Sequence, residues 1–335
     1  MNEKLKGIGI GMLKKYTMLI ILIALIGFFS IVAPSFLSVR NFWNLILQNT
    51  YVIVAAVGMS FVMMAGALDL SVGYQVSTIG VVTATLMTTA GLHPAIAIAC
   101  GILSGIAMGL LNGGLAVKLR VDPIIITVAT TTVFQGFSFL VSQGNSFSGF
   151  PDAFRLLTKS NALGVPLDVI IAIAAIGVGS FVFNLTYYGR HVKAVGSNRE
   201  ATRLAGINVD WVTVSSFMIS GLFISVASFV LISKQGTTNS TIGPGTEFTV
   251  ITAAILGGIS FTTGEGKMWG LVTGVFLLAT IENGMQIAGW NQYIQYVVKG
   301  TVLLVALGFD QYQRSRTMHV RRAKAEPAKA ARPAN

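Results

Sequence analysis

Long uncharged apolar segments, interrupted by glycine, proline and charged residues, follow one another along almost the whole chain. A helix needs about 20 apolar residues to cross the hydrocarbon core of a bilayer. By this criterion the pattern predicts ten membrane-spanning helices, and leaves open whether spans 3 and 8 are broken. The predicted spans are residues 16–32, 42–66, 72–90, 95–117, 123–142, 166–187, 212–233, 248–262, 268–284 and 293–308.

The composition also indicates a membrane protein. Of the 335 residues, 53% are hydrophobic and only 10% are charged, whereas soluble domains carry about 25% charged residues. A soluble chain of this size has too little interior to bury so many apolar segments. We therefore predict an all-α polytopic membrane protein in the lipid bilayer. Its single cysteine, Cys100, excludes an intramolecular disulfide, and we expect no metal and no cofactor.

Basic residues predict the orientation, because Lys and Arg near the ends of spans remain cytoplasmic. With ten spans, both termini and the loops after spans 2, 4, 6 and 8 share one side. That side carries 18 Lys and Arg residues and the other side carries four, which predicts an N-in, C-in topology. The predicted parts are a cytoplasmic segment (1–15), a transmembrane domain (16–310) and a basic cytoplasmic tail (311–335), which we expect to be disordered.

Two features resemble sites of other protein classes but lack the residues that those sites require. The basic tail has no interleaved aromatic residues, so we predict a retention signal and no nucleic-acid partner. Segment 264–267 cannot form a phosphate loop, which needs glycine in place of Phe261 and Ser or Thr in place of Met268. The three histidines are scattered and suggest no metal pair. We therefore do not expect the chain to be an enzyme.

The most informative loop is the predicted cytoplasmic loop 189–210. Ser197 and Glu200 have the spacing of a capping box, and Gly206 suits a helix C-terminus. These residues predict a short helix outside the bilayer, with an apolar stripe through Leu204. Two interpretations stay open: the helix merely joins two spans, or it docks into a cytoplasmic partner.

Polar residues at membrane depth are functional candidates, because their burial in lipid is costly. Asp69 and Ser71 lie at the junction of spans 2 and 3, where they can cap span 3, line a translocation path, or do both. Glu282 and Lys299 have matching depths in spans 9 and 10, which predicts a structural ion pair. Amide side chains that can bind either a solute or a neighbouring helix are Asn112 and Asn283.

Glycines recur at every fourth residue from Gly101 to Gly113, and Gly270 and Gly274 repeat the spacing. Missing side chains let helix backbones approach closely in membranes. We predict that these glycines form packing faces and contact no substrate.

Five segments carry a resemblance to a known family: ALDLSVG (67–73), GRHVKAVGSNREATRLAGI (189–207), AAILGGISFTTGEGKMWG (253–270), IENG (281–284) and QYVVKGTVLLVA (295–306). They resemble the permease subunits of bacterial ABC sugar importers, in the group that includes the ribose, xylose, arabinose and autoinducer-2 permeases. The similarity runs from about residue 15 to 310, with the segments in the same order. Two departures, at residues 66–68 and 262–263, weaken any transfer of substrate.

The resemblance implies a multi-pass permease of the bacterial inner membrane that imports a small sugar-like solute by alternating access. It implies three partners: a cytoplasmic ABC ATPase that hydrolyses ATP, a second permease copy or paralogue, and a periplasmic or extracellular substrate-binding protein. The alternative is a secondary, ion-coupled transporter, which usually needs ionisable groups deep in the bundle. The residues implied in ATPase coupling are Arg190, Ser197, Asn198, Arg199, Glu200, Arg203, Leu204 and Gly206.

Overall fold

The structure, a computed structural model, describes residues 19–162, 164–308 and 311. The predicted N-terminal segment 1–15 and the tail beyond residue 311 lie outside the described residues. The helices are α1 (Leu19–Val32), α2 (Val39–Gln48), α3 (Thr50–Met64), α4 (Val72–Thr88), α5 (Pro94–Leu119), α6 (Pro123–Ser142), α7 (Asp152–Lys159), α8 (Leu167–Leu185), α9 (Tyr187–Ser197), α10 (Arg199–Leu204), α11 (Val209–Gln235), α12 (Thr246–Leu256), α13 (Met268–Ile287) and α14 (292–308).

The β-structure of the described residues consists of four strands with two residues each. β1 (Phe147–Ser148) pairs with β4 (Thr237–Thr238), and β2 (Asn161–Ala162) pairs with β3 (Val165–Pro166), both antiparallel. The β1–β4 pair joins the loop after α6 to the loop after α11. Each strand has only two residues, and the prediction of an all-α protein is confirmed.

Six helical stretches in the described part of the chain are long and apolar enough to cross a membrane: Val39–Met64, α5, α6, α8, α11 and α13. α1 and α12 are apolar but shorter. These stretches confirm a polytopic helical membrane protein. A helix lies within each of the ten predicted spans, but α12 ends at Leu256 instead of residue 262.

The stretch Val39–Met64, which corresponds to the predicted span 42–66, is divided at Asn49 into α2 and α3. The Asn49 side chain donates from Nδ2 to the Leu45 carbonyl at 2.8 Å. Such side-chain bonds compete with the helical backbone pattern. The division leaves the Leu47 carbonyl available to other donors, which becomes important below.

α3 and α11 form the centre of the bundle. Every residue of α3 except Tyr51 is buried, as expected for a helix that is apolar on all sides. α11 packs against α3, α4 and α5, and the rings of Phe61 and Phe223 stack between α3 and α11 with centroids 5.9 Å apart. The other helices pack around this central pair.

The glycines spaced by four residues on α5 pack against α11, as predicted. A Cβ on Gly105 would lie 2.5 Å from the Gly221 carbonyl oxygen, and one on Gly109 would lie 2.2 Å from the Phe217 carbonyl oxygen. Real Cβ atoms do not approach backbone atoms so closely. The absence of side chains therefore sets the distance between these two helices.

Two helices, α4 and α12, begin inside the bundle, and their N-termini touch. A Cβ on Gly243, just before α12, would lie 2.0 Å from the carbonyl oxygen of Gly73 in the first turn of α4. α12 has 11 residues, so it extends about 16 Å from this contact towards the loop 257–267. We call the contact around Gly73 and Gly243 the meeting point.

Candidate functional site

The predicted short helix of loop 189–210 is present, but its N-terminus differs from the prediction. Ser197 is the last residue of α9, and Asn198 is the cap of α10. The Asn198 side chain accepts a hydrogen bond from the Ala201 N–H at 3.0 Å. The prediction of a capping box formed by Ser197 and Glu200 was therefore wrong. The residues before Ser197 form a helix of their own, α9, and asparagine is an equally good cap for the helix that follows.

The C-terminus of α10 agrees with the prediction for Gly206. Its φ of +81° is left-handed, which glycine adopts without strain. The Gly206 N–H donates to the Arg203 carbonyl and the Ile207 N–H donates to the Thr202 carbonyl. This pair of bonds is a Schellman motif, so α10 is closed at both ends.

Side chains of α10 extend away from the bundle. Leu204 is 89% exposed, so it contributes little burial to the fold and its side chain is available to another surface. Arg203 forms ion pairs with Glu200 at 3.4 Å and with Asp210 at 3.6 Å. The Arg190 guanidinium lies 4.3 Å from the centroid of the Tyr187 ring. α10 therefore combines an exposed apolar residue with a charged surround.

α9 connects this exposed helix to the centre of the bundle through glycine contacts. A Cβ on Gly196 would lie 2.0 Å from the Met64 carbonyl oxygen at the end of α3 and 2.9 Å from the Gly264 Cα. The loop 257–267 thus touches α9, and so does α3. Backbone contacts with no side chain between them therefore connect α9 to the central helix α3 and to the α12–α13 connection.

Asp69 lies in a buried polar cluster at the turn between α3 and α4. Its Oδ1 accepts from the Ser71 N–H at 2.9 Å and from the Ser71 hydroxyl at 2.6 Å. Its Oδ2 accepts from Gln75 Nε2 at 2.8 Å, and Asn112 Nδ2 donates to Ser71 Oγ at 2.8 Å. Asp69, Ser71, Gln75 and Asn112 have no exposed surface.

Ser71, one of the two residues that the sequence offered as a cap for α4, does not cap it. Ser71 is at the cap position, but its side chain accepts no bond from the α4 backbone. Its hydroxyl oxygen accepts instead from the side-chain amides of Gln75 and Asn112. Two amide oxygens of the cluster, Gln75 Oε1 and Asn112 Oδ1, are buried without a hydrogen-bond donor among the described residues.

Glu247, in the first turn of α12, lies at the meeting point and was not identified from the sequence. The Gly245 N–H donates to its carboxylate at 3.1 and 3.0 Å. A Cβ on Gly73 would lie 2.1 Å from Glu247 Oε2, so the carboxylate touches the first turn of α4 as well. Two helix N-termini face one half-buried carboxylate, which both stabilise. The available signal was an acidic residue directly before a short apolar span.

Asn283 pairs with Asn41 of α2. Asn41 Nδ2 donates to Asn283 Oδ1 at 2.8 Å, and Asn283 Nδ2 donates to Asn41 Oδ1 at 3.0 Å. Both side chains are buried. This reciprocal bond is the helix–helix alternative that the sequence left open. Nearby, Lys299 Nζ lies 2.8 Å from Glu282 Oε1, an ion pair with angles outside those of a hydrogen bond.

A second ion pair, between Asp168 and Lys234, was missed by the sequence analysis. Lys234 Nζ lies 3.0 Å from Asp168 Oδ2 and also donates to the Leu47 carbonyl at the α2–α3 division. The Thr50 hydroxyl donates to the same carboxylate oxygen at 3.2 Å. The hydrophobic pattern places Lys234 in an outer loop. Asp168 lies 66 residues away along the chain, so no local pattern indicates that the two residues pair.

The chain belongs to the family of permease components of the branched-chain amino acid transport system, whose model matches residues 41–307. It is 34% identical to the L-arabinose ABC transporter permease protein AraH of Azospirillum brasilense, over 85% of this chain and 84% of that protein. It is 33% identical to the ribose import permease protein RbsC of Bacillus subtilis (strain 168), over 90% and 94%. It is 31% identical to the D-allose transport system permease protein AlsC of Escherichia coli (strain K12), over 89% and 91%. No solved structure matches the chain.

Proposed function

We propose that the chain is the membrane-spanning permease subunit of an ABC importer and that its solute is a small sugar. The observation that carries this proposal is the similarity, over 85% to 90% of the chain, to permeases named for arabinose, ribose and allose. The family description names amino acids, but these individual relatives favour a sugar. Their similarity gives no support to the alternative of an ion-coupled transporter.

We further propose ten membrane crossings with both termini in the cytoplasm. Six helical stretches meet the length and hydropathy of a span. The remaining crossings would be made by α1, α4, α12 and α14, which coincide with predicted spans. In this topology the basic residues collect on the cytoplasmic side, as the distribution of Lys and Arg requires. α9 and α10 then face the cytoplasm, and β1 and β4 face outwards.

The cytoplasmic face of α10 would dock into a separate ABC ATPase. Leu204 supports this proposal, because a side chain that is 89% exposed on a short capped helix is available to fill a pocket. Gly196 supports it too, because its backbone contacts connect α9 to α3 and to the loop 257–267. Closure of the ATPase on ATP would pull on α10 and rearrange these elements.

The solute path would pass near the meeting point of α4 and α12. Glu247 is the half-buried polar group there, and carboxylates accept hydrogen bonds from sugar hydroxyls. Asp69, Ser71 and Asn112 would shape the wall of the path by fixing the turn before α4. Asn283 would hold α13 against α2 through Asn41. A second copy of the chain or a paralogue would complete the path.

The loops that β1 and β4 join would receive a substrate-binding protein. Ser148 and Thr241 are exposed on these loops and can carry a cross-linker. Thr238 in β4 is only 1% exposed and cannot be used in this way. Photo-cross-linkers at Ser148 and Thr241 should capture the binding protein from outside. Labelling of both positions only from the cytoplasm would contradict the topology.

The docking proposal is tested with two variants of α10, each compared with the wild-type chain at equal membrane abundance. Leu204→Asp should lower the affinity for the ATPase at least about 30-fold, because anchors that fill pockets contribute about 2 kcal/mol or more. Glu200→Ala should have a much smaller effect, since its ion pair with Arg203 is exposed. The measurement is the apparent Kd for the purified ATPase in detergent. Normal binding by Leu204→Asp would show that α10 is only a connector.

A further inference from the structure

A groove of about 830 Å³ lies beside α10. One wall is formed by α10 and the start of α11, and the other by the turn between α5 and α6. Six of its twelve lining residues are charged. They are Arg120, Asp122, Arg199, Glu200, Arg203 and Asp210.

Five of these six charged side chains have partners within the chain. Arg203 pairs with Glu200 and Asp210. Asp122 caps α6 by accepting from the Ile124 N–H at 2.9 Å. Arg199 donates to the Thr213 hydroxyl at 3.4 Å.

Arg120 is the exception. It is exposed, and among the described residues its guanidinium has no hydrogen bond, ion pair or aromatic ring partner. The five donors of this group are therefore free to bind an acidic group from outside the chain.

The backbone of Arg120 is also unusual. It ends α5 with φ 54° and ψ 35°, in the left-handed region, where glycine is the common residue and a side chain causes strain. Gln143 at the end of α6 is the other described non-glycine residue with positive φ (51°). It lies at the opposite end of α6, away from α10. Of these two residues, only Arg120 lines the groove, so a strained backbone and a guanidinium without a partner coincide there.

We infer that Arg120 is a docking residue for the ABC ATPase, and that it pairs with an acidic side chain of the ATPase element that enters this groove. The inference rests on the proposed docking of α10, because the groove is continuous with that helix. It adds the α5–α6 turn as a second point of attachment. The ATPase residue that contacts Arg120 is acidic, because Arg120 is the charged residue of the groove that has no partner among the described residues. Movement of the ATPase would then act on α5 and α6 as well as on α9.

The test exploits the two left-handed residues. Arg120→Gly removes the guanidinium and also relieves the backbone strain, so the variant should unfold at the same temperature as the wild type or at a higher one. Its affinity for the cognate ATPase, purified after co-expression and measured in detergent, should fall at least tenfold. Gln143→Gly is the matched control: it relieves the same strain and should leave the ATPase affinity unchanged.

Two further measurements separate a charge contact from a structural role. Arg120→Lys should retain most of the affinity, because it keeps the positive charge. The wild-type affinity should fall more steeply with KCl concentration than that of Arg120→Gly, since salt screens the contact.

The inference is overturned if Arg120→Gly binds the ATPase like the wild type, or if Gln143→Gly loses the same affinity. It is also overturned if the salt dependence of Arg120→Gly equals that of the wild type. Leu204→Asp distinguishes the two proposals. If that variant loses binding while Arg120→Gly keeps it, α10 docking stands and the second attachment point does not. If the wild-type chain does not bind the ATPase, both are wrong.

Discussion

The ion pair of Asp168 and Lys234 should be a main support of the end of the bundle opposite α10. Asp168 is 1% exposed, and Lys234 lies 3.0 Å from it. Lys234 also donates to the Leu47 carbonyl. One ammonium group therefore connects α11 to α8 and to the α2–α3 division.

The substitution Lys234→Met keeps the apolar stem and removes the charge, so it leaves a buried carboxylate without a counter-ion. Breaking a buried pair in this way typically costs about 3–5 kcal/mol. We expect about 3 kcal/mol, at the lower end, because the Lys234 side chain is 28% exposed and Asp168 keeps bonds from Thr50 and from the Val169 N–H. The double variant Asp168→Asn/Lys234→Met should be more stable than Lys234→Met alone, since it buries no unpaired charge.

The assay is the free energy of unfolding in detergent for the wild type, both single variants and the double variant. Lys159→Met is the matched control, because Lys159 is exposed and the structure gives it no ion pair among the described residues. Its effect should be under about 0.5 kcal/mol. The wild type, the two single variants and the double variant form a double-mutant cycle. The reasoning is refuted if the cycle gives no coupling free energy between Asp168 and Lys234, or if Lys234→Met is as stable as the wild type.

Two other predictions concern packing and buried amides. Gly105→Ala should destabilise the chain by about 2 kcal/mol or more, because its Cβ would press on the Gly221 backbone. Gly114→Ala is the control on the same helix, because its Cβ would have no atom of another segment within 4 Å; it should be neutral or stabilising by up to about 1 kcal/mol. If both variants lost the same stability in thermal unfolding, the proposed α5–α11 packing would be contradicted. Asn283→Leu should cost about 1–3 kcal/mol by leaving the buried Asn41 Oδ1 without a donor. The double variant Asn41→Leu/Asn283→Leu should recover most of that loss, and a double variant less stable than the single one would contradict the pairing.

The hydrophobic pattern was sufficient to predict where the helices lie, because each apolar segment must satisfy its backbone hydrogen bonds within a helix. It also predicted the close packing of Gly105 and Gly109, since small residues at a spacing of four occupy one helix face. It failed at the N-terminus of α10. Ser197 and Asn198 are both good caps, and only the extent of α9 decides between them.

Contacts between distant parts of the chain were the other limit. Asp69 and Asn112 were correctly singled out as buried polar residues, but nothing in their spacing indicated that Gln75 completes the cluster. Glu247 was overlooked because α12 is a short helix that begins inside the bundle, and no pattern along the chain indicates that α4 begins beside it. A pattern along one segment carries no information about the segment that it touches.

The central claim is that this chain transports a sugar with energy from ATP hydrolysed on a separate subunit. The most direct test is solute uptake into proteoliposomes that contain the full chain, with and without the cognate ATPase and binding protein, using labelled L-arabinose, ribose and D-allose. We predict uptake of at least one sugar that requires ATP and both partners, and that persists when proton and sodium gradients are abolished. Accumulation by the chain alone, driven by an ion gradient and independent of ATP, would contradict the account.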